Sequence, residues 1–463
     1  MSSAGAVAED PGPLPGGPAS HPAHRRARLE LLAVTWCSYA GFYFCRKVFA
    51  VVKSPLKERF ALDDLEVSHL WTIYLVTYML GQFLAASLGR RLESRRVLAI
   101  GMTVAAACNV GIGWLVDAQV ASAYGWMLAT MALHGLAQAT GWPHNVALVA
   151  NWTSRAERGR IFALWGTCYQ IGAIGAKGMA AFLFGWLGLA WSFMGSSLIL
   201  FAVTVVFVAR ARETPASAGL DPIPEGPASP GPIRAGPGPA KPDPPARTGT
   251  PTRPAEGPPA GERAPLSPRV LRTILAMGLI YFGFKFLRYA LDSWSALILR
   301  EHFAMSTTTA GYLSTAFDWV GFMGVIFAGI SSDRLAGSRA PVIFWMSTGC
   351  LAATILMWWV GLTSPAAFVV LLGLIGLMAM GPDSLLSGTS AMDVGTREQA
   401  AFAAGVINGL GSIGPIIQEP AIGWLKIHSG LDGVFLLLVA VIAVATAGTG
   451  LLWWTAARYD LRV

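Results

Sequence analysis

The chain is short of charge. Only 13% of its 463 residues are Asp, Glu, Lys or Arg, against about 25% in a soluble domain. A water-facing surface of ordinary size is therefore excluded. Cysteine and histidine are also sparse, at five and seven. Cys37, Cys45, Cys108, Cys168 and Cys350 lie inside apolar runs with no CxxC spacing, and the histidines form no HExxH. Such cysteines read as small buried hydrophobes, with no disulfide framework and no metal site. No Ser/His/Asp or Cys/His constellation stands out, so no enzyme chemistry and no cofactor are expected. The Gly-rich stretches 172–178 and 409–414 lack a preceding strand and a GK[ST] ending, which excludes phosphate loops. In apolar helices such small residues mean close helix packing. The alternating segments of about ten residues that build a membrane barrel are absent as well. No cleavable signal peptide is evident. Residues 1–28 are rich in Ala, Pro, Gly and Ser and end in His24-Arg25-Arg26-Ala27-Arg28, which predicts a disordered cytoplasmic tail with a basic flank.

What the chain has is apolar length. Hydrophobic residues make up 54%, with 17 Trp and 22 Phe. A bilayer core of about 30 Å demands roughly 20 mostly apolar residues per helix. Such runs fall near 29–52, 67–89, 97–116, 122–150, 159–184 and 186–209, then near 269–299, 308–331, 341–362, 364–390, 399–425 and 432–456. The interruption, 210–268, holds 17 of the 29 prolines and almost no large apolar side chain. It cannot bury a core and is predicted to be an extended, disordered cytoplasmic linker. The pattern predicts an all-α membrane protein with twelve transmembrane helices in two six-helix halves, 29–209 and 269–457, and a short tail at 458–463. The formal net charge of +8 reports topology rather than nucleic-acid binding. With a cytoplasmic N-terminus, fifteen Lys and Arg flank the inner ends of the runs. The outer ends carry five: Lys53, Lys57, Arg59, Arg300 and Lys426. Both termini and the linker are thus predicted inside, in a multi-pass protein of the cell's inner membrane.

The halves resemble each other. Tyr39, Gly41, Phe42, Phe44 and Arg46 recur as Tyr281, Gly283, Phe284, Phe286 and Arg288, at a constant offset of 242 residues. Two parallel six-span repeats, with a site near the midplane at their interface, describe the major facilitator fold.

The intramembrane charges carry the chemistry. At 1.5 Å per residue Arg46 lies about 25 Å from the inner end of its helix. An ion at that depth costs at least about 2.5 kcal/mol, so it needs a wet cavity or a counter-charge. Snorkelling to the outer headgroups does not require the same Arg in both repeats. Two arginines facing each other across the repeat interface make a clamp for a tetrahedral oxyanion. Candidate cations are Arg46, Lys47, Lys177, Lys285 and Arg288, against Asp292, Asp318 and Asp383; the surplus of 5 − 3 = 2 attracts a dianion. Lys285 and Asp292 share a helix face with Arg288. Lys285 adds to the clamp, and Asp292 either pairs with Arg288 or Lys285 or carries a proton. Asp318 is a structural pairing residue or a functional one. Tyr39 and Tyr43, on the face of Arg46, either donate to the anion or pack between helices. Trp142, beside Pro143 in a bent helix, lines the cavity or packs.

These residues resemble the organophosphate:phosphate antiporters of the major facilitator superfamily, among them glycerol-3-phosphate, hexose-phosphate and solute-carrier sugar-phosphate exchangers. The resemblance spans both halves. It rests on Tyr39-x3-Tyr43-x2-Arg46-Lys47 and on Leu287-Arg288-Tyr289-Ala290-Leu291-Asp292-Ser293-Trp294. Supporting pieces are Val51-Val52-Lys53-Ser54, Gln138 to Pro143 with Asn151-Trp152, Phe317-Asp318 with Gly321, and Gly409-x-Gly411-Ser412-Ile413-Gly414. It implies that Arg46 and Arg288 grip a phosphoryl group and that a phosphate ester is exchanged for inorganic phosphate by alternating access, without ATP. A monomer in the lipid bilayer, with no nucleic-acid partner, is expected. This chain departs from the glycerol-3-phosphate carrier at Gln82, where that carrier has Lys, at Asn151, where it has His, and at Lys285, where it has Tyr. Arg90 stands at a usual Asp, which Asp333 keeps in the second half. The pocket for the organic group, around Trp142, Gln82 and the tenth helix, is therefore its own. Two other readings stay open: a proton-coupled symporter of another organic anion, and a membrane sensor of sugar phosphates.

Overall fold

In hydrocarbon every backbone N–H and C=O must be satisfied within its own segment, which leaves the helix for a chain of this pattern. The computed structural model describes residues 22–88, 91–118, 120, 122–154, 158–221, 268–335, 339–389 and 397–459, and these contain no strand. The helices before the linker are α1 (Pro22–Phe60), α2 (Asp64–Leu88), α3 (Ser94–Ala118), α4 (Ala123–Gln138), α5 (Gly141–Asn151), α6 (Arg158–Trp165), α7 (Thr167–Leu187) and α8 (Leu189–Arg210). After it come α9 (Pro268–Glu301), α10 (Thr307–Ser314), α11 (Ala316–Arg334), α12 (Ala340–Trp359), α13 (Pro365–Ser384) and α14 (Arg397–Tyr459).

Local chemistry sets the ends. Ser306 and Ser364 cap α10 and α13 by accepting from the Thr309 and Ala367 amides at 3.1 and 3.2 Å. This is the N-cap role of a serine hydroxyl. Pro365 opens α13 where its missing N–H is not needed. Gly430, at φ +62°, breaks α14 into two rods, a conformation open to glycine without steric penalty.

Seven helical stretches are long and apolar enough to cross a membrane by length and composition. The predicted twelve is reached only by joining α4 to α5, α6 to α7 and α10 to α11 across short breaks, and by dividing α14 at Gly430. α1, α2 and α7 stand outside the seven, and α1 and α7 carry buried ions. A membrane helix accepts such ions only when they face a protein interior.

The boundaries at both ends of α1 and after α8 differ from the sequence reading. α1 begins at Pro22, inside the expected tail, because His24 to Leu32 are competent helix formers. It also continues to Phe60, so Lys53 and Lys57 are helical rather than in an outer loop. The helix bends at Val52, where Pro55 removes a hydrogen bond to the preceding turn. At the other boundary, Ala211 to Glu213 dock on the first half. The Glu213 carboxylate accepts from the Ser94 and Arg95 amides at 3.1 and 2.9 Å, and the Arg212 carbonyl accepts from the Trp152 indole at 3.2 Å. The expected tail to residue 21 and the linker from 222 to 267 lie outside the described residues.

The two halves meet along α1 with α9 and α10, α7 with α10 and α11, and α2 with α14. One group of their polar contacts lies at the end where α1 and α9 finish. There Lys57 reaches Glu301 at 3.0 Å, Arg300 reaches Glu58 at 2.7 Å, and Lys426 reaches Asp64 at 2.8 Å. Beneath them Lys53 and Glu419, both fully buried, form an ion pair between the halves. Glu419 also accepts from Ser293 and from the Trp294 indole, each at 3.1 Å, and the Lys53 ammonium lies 3.9 Å from the Trp294 ring centroid. This end of the bundle is sealed.

Candidate functional site

A narrow cavity lies on the inner side of that seal, where the halves face each other. About 30 Å³ of it is open to the centre of a water molecule. α1 supplies Tyr43, Arg46 and Lys47; α2 supplies Trp71, Tyr74 and Tyr78; α9 supplies Arg288, Tyr289 and Asp292; Asp318 comes from α11. Six of the eleven residues singled out from the sequence therefore meet here: Arg46, Arg288, Tyr43, Lys47, Asp292 and Asp318.

Arg46 is nearly buried, at 9% exposure. Its guanidinium carbon lies 4.9 Å from the Tyr43 ring centroid and 4.8 Å from that of Tyr78, which makes two cation–π contacts. It donates to Gln138 Oε1 at 3.2 Å, and its Nε has no hydrogen-bond partner. The Gln138 amide is oriented in turn by donating to the Phe42 carbonyl at 3.0 Å. No carboxylate lies within ion-pair distance of Arg46 among the described residues.

Arg288 differs. Its Nη1 donates to Asp383 Oδ2 at 2.8 Å. The expected pairing of Asp292 with Arg288 or Lys285 is not what forms. Asp292 holds Lys47 and, at 2.7 Å, Lys177, and Lys177 also reaches Asp318 at 2.7 Å. Arg288 turns within its own half toward α13, while Asp292, one turn on, lies where α1 and α7 approach. Two lysines and two aspartates thus form a self-neutral network across the interface, with Lys177 fully buried.

The remaining candidates lie outside the cavity lining. Lys285, one turn before Arg288, donates to Asn408 Oδ1 at 3.0 Å and Ser412 Oγ at 3.2 Å on α14. Tyr39 packs in an aromatic group, 5.1 Å from Trp142 and 6.1 Å from Trp165 between ring centroids. Trp142 is 38% exposed. Gln82 is exposed on α2. Asn151, at the end of α5, donates to the Glu213 carbonyl at 3.1 Å.

Residues not singled out as site residues from the sequence are Trp71, Tyr74, Tyr78, Gln138, Asp383 and the Lys53–Glu419 pair. The spacing of Trp71, Tyr74 and Tyr78 along one helix face was a legible signal. The ring of Trp71 stacks on Tyr74 at 4.4 Å.

The model of the Major Facilitator Superfamily matches residues 35–418. Among curated proteins, the "Probable hexose phosphate transport protein" of Chlamydia pneumoniae is 24% identical over 434 residues, covering 90% of this chain and 89% of its own. The "Membrane sensor protein UhpC" of Salmonella typhimurium is 26% identical over 409 residues, covering 87% and 85%. The "Glycerol-3-phosphate transporter" of Bacillus subtilis is 26% identical over 457 residues, covering 95% of each. Among solved structures, a bacterial homologue of the human lysosomal transporter Spinster, inward-facing and occupied, superposes with a TM-score of 0.68 at 15% identity over 93% of this chain and 97% of its own. A likeness at that identity speaks for the fold alone. With a family model spanning both halves and this architecture, the chain belongs to the Major Facilitator Superfamily, a family of membrane transporters and not of enzymes.

Proposed function

We propose that the chain carries a phosphorylated organic anion, of the sugar-phosphate or glycerol-phosphate class, across the membrane in exchange for inorganic phosphate. The relatives named for hexose phosphate and glycerol-3-phosphate support the substrate class. The observation that carries the reading is Arg46. It is a buried cation at the interface between the halves, in contact with two tyrosine rings, with a free Nε and no carboxylate partner among the described residues. A buried unpaired charge costs several kcal/mol, and a phosphate dianion in the cavity relieves that cost through charge-assisted hydrogen bonds from the guanidinium.

Exchange follows from the same energetics. Sealing the open side around an empty, positively charged cavity is expensive, and a bound dianion lowers that barrier. The halves then rock loaded, alternately opening the end sealed by Lys57, Arg300 and Lys426 and the opposite one. The Lys and Arg bias supports a cytoplasmic side of an inner membrane for both termini and the Pro-rich 210–268 segment. The carrier works as a monomer.

The test is uptake of ³²P-phosphate into proteoliposomes preloaded with phosphate, compared with empty ones. Uptake into preloaded vesicles alone, abolished in Arg46→Ala, is the expected result. Full exchange by that variant would sink the proposal. A sensor reading has one specific support, the relative named as a membrane sensor. Saturable phosphate binding without any exchange would favour it.

A further inference from the structure

A histidine stands behind the side chain that holds Arg46. His134 lies on α4, one turn before Gln138, and is 1% exposed. Residues four apart share a helix face, and His134 Nε2 lies 3.1 Å from Gln138 Nε2. The ring centroid of His134 is 5.3 Å from that of Tyr74, and its Nδ1 has no hydrogen-bond partner. α4 is pressed onto α2 at this level. A Cβ on Gly135 would stand 2.4 Å from the Tyr74 carbonyl oxygen, so the backbone that carries His134 has no room to shift that way. His134 does not line the cavity, and nothing in the function proposed above uses it.

Donors and acceptors fix the orientation of each group. Gln138 Oε1 accepts from Arg46, and Gln138 Nε2 donates to the Phe42 carbonyl. A flipped amide would set its oxygen against the Phe42 carbonyl and its NH2 against the guanidinium, acceptor on acceptor and donor on donor. One amide hydrogen is therefore spent on Phe42, and the other is directed at His134. His134 Nε2 must accept it, which makes the ring neutral with its proton on Nδ1.

Resting on the phosphate reading of this cavity, we propose that His134 is a positioning residue for anion binding: its neutral Nε2 holds the Gln138 amide, and Gln138 in turn fixes the Arg46 guanidinium at the cavity. His134 itself does not touch the anion. Arg46 has no carboxylate partner among the described residues, so a neutral amide does the holding. Without the histidine that amide keeps a buried donor with no acceptor, and it gains by rotating away from Arg46. A guanidinium on a loose stem must then be ordered by the anion itself, which weakens binding.

The experiment is equilibrium binding of ³²P-labelled inorganic phosphate to the purified full chain in detergent. A wild-type chain that binds no phosphate overturns the function proposed above and this inference with it. Given wild-type binding, His134→Phe keeps a ring and removes the acceptor. It is expected to weaken affinity about tenfold, the scale of one link in a buried hydrogen-bond network. His134→Gln, whose amide oxygen can accept the same hydrogen, keeps most of the affinity. A merely structural role is separated by a cycle. Gln138→Leu weakens binding, and adding His134→Phe to it is expected to cost nothing more, because the link is already broken. Wild-type affinity in His134→Phe, equal loss in the Phe and Gln variants, or a full further loss in the double variant overturns the inference and leaves the phosphate reading standing. Should His134→Phe not fold, or Gln138→Leu bind too weakly to measure, His134→Asn decides against His134→Gln, since the shorter amide misses Gln138. Equal binding by those two overturns the inference, and loss in Asn with retention in Gln supports it.

Discussion

Lys177 is the residue whose environment is most tightly determined. It is fully buried on α7 and bridges Asp292 and Asp318, each at 2.7 Å. Removing one partner of a buried ion pair costs about 3–5 kcal/mol, because the other charge stays behind without water. Lys177→Met strands a carboxylate where Lys47 alone remains. It is expected to lower the thermal unfolding midpoint of the purified protein sharply, with part of the loss recovered by adding Asp318→Asn. An unchanged midpoint in Lys177→Met would mean that the network is not formed. The sequence made Lys177 visible as an intramembrane cation and Asp292 as a carboxylate near Arg288. It could not show who pairs with whom, since Arg288 and Asp383 are 95 residues apart and Lys53 and Glu419 are 366 apart.

At the scale of helices, close approach is set by small residues, as their abundance in the apolar runs led one to expect. α11 and α13 show it best. A Cβ on Gly324 would lie 2.0 Å from the Leu377 carbonyl oxygen, and backbone does not yield as a side-chain tip does. Gly329, on the same helix, faces open space. Gly324→Ala is expected to lose about 1–3 kcal/mol through overpacking, read as a lower unfolding midpoint, and Gly329→Ala to lose nothing. Equal behaviour of the two would show that α11 and α13 are not in contact at this point. The bend of α1 at Val52 was not anticipated, although Pro55 lies in plain view. The apolar run ends near residue 52, and a kinked continuation of the helix reads in sequence like a helix end.

For the whole molecule, the sealed end is a set of largely buried ion pairs over one fully buried pair. Lys57, Lys426, Asp64 and Glu301 close on one another in a ring that spans both halves. Each member has two partners of opposite sign, so the ring holds the two halves together at this end. Lys426→Ala removes two of its contacts and is expected to raise the population open at that end. Ser54 is buried there and accepts from Arg300 at 3.1 Å. A Ser54→Cys label site, with Cys37 replaced, reports this as faster alkylation by a membrane-impermeant thiol reagent in the Lys426→Ala background. The same rate in both backgrounds would show that the ring does not hold the seal. Binding of phosphate should change that rate in either background if both states are visited.

The linear chain by itself determined that this is a membrane-embedded helical bundle, because missing charge and apolar runs of bilayer length leave no other way to satisfy the backbone. It also determined that the bundle is a repeat and that Arg46 is buried near its middle, since depth along a helix is a count of residues. Tertiary structure alone decided which cations are free. Net charge is a sum over the sequence, but a pairing depends on the rotation of one helix against another, about 100° for each residue. Only the packing of α9 against α13 turned Arg288 onto Asp383, and only its packing against α14 gave Lys285 the neutral partners Asn408 and Ser412.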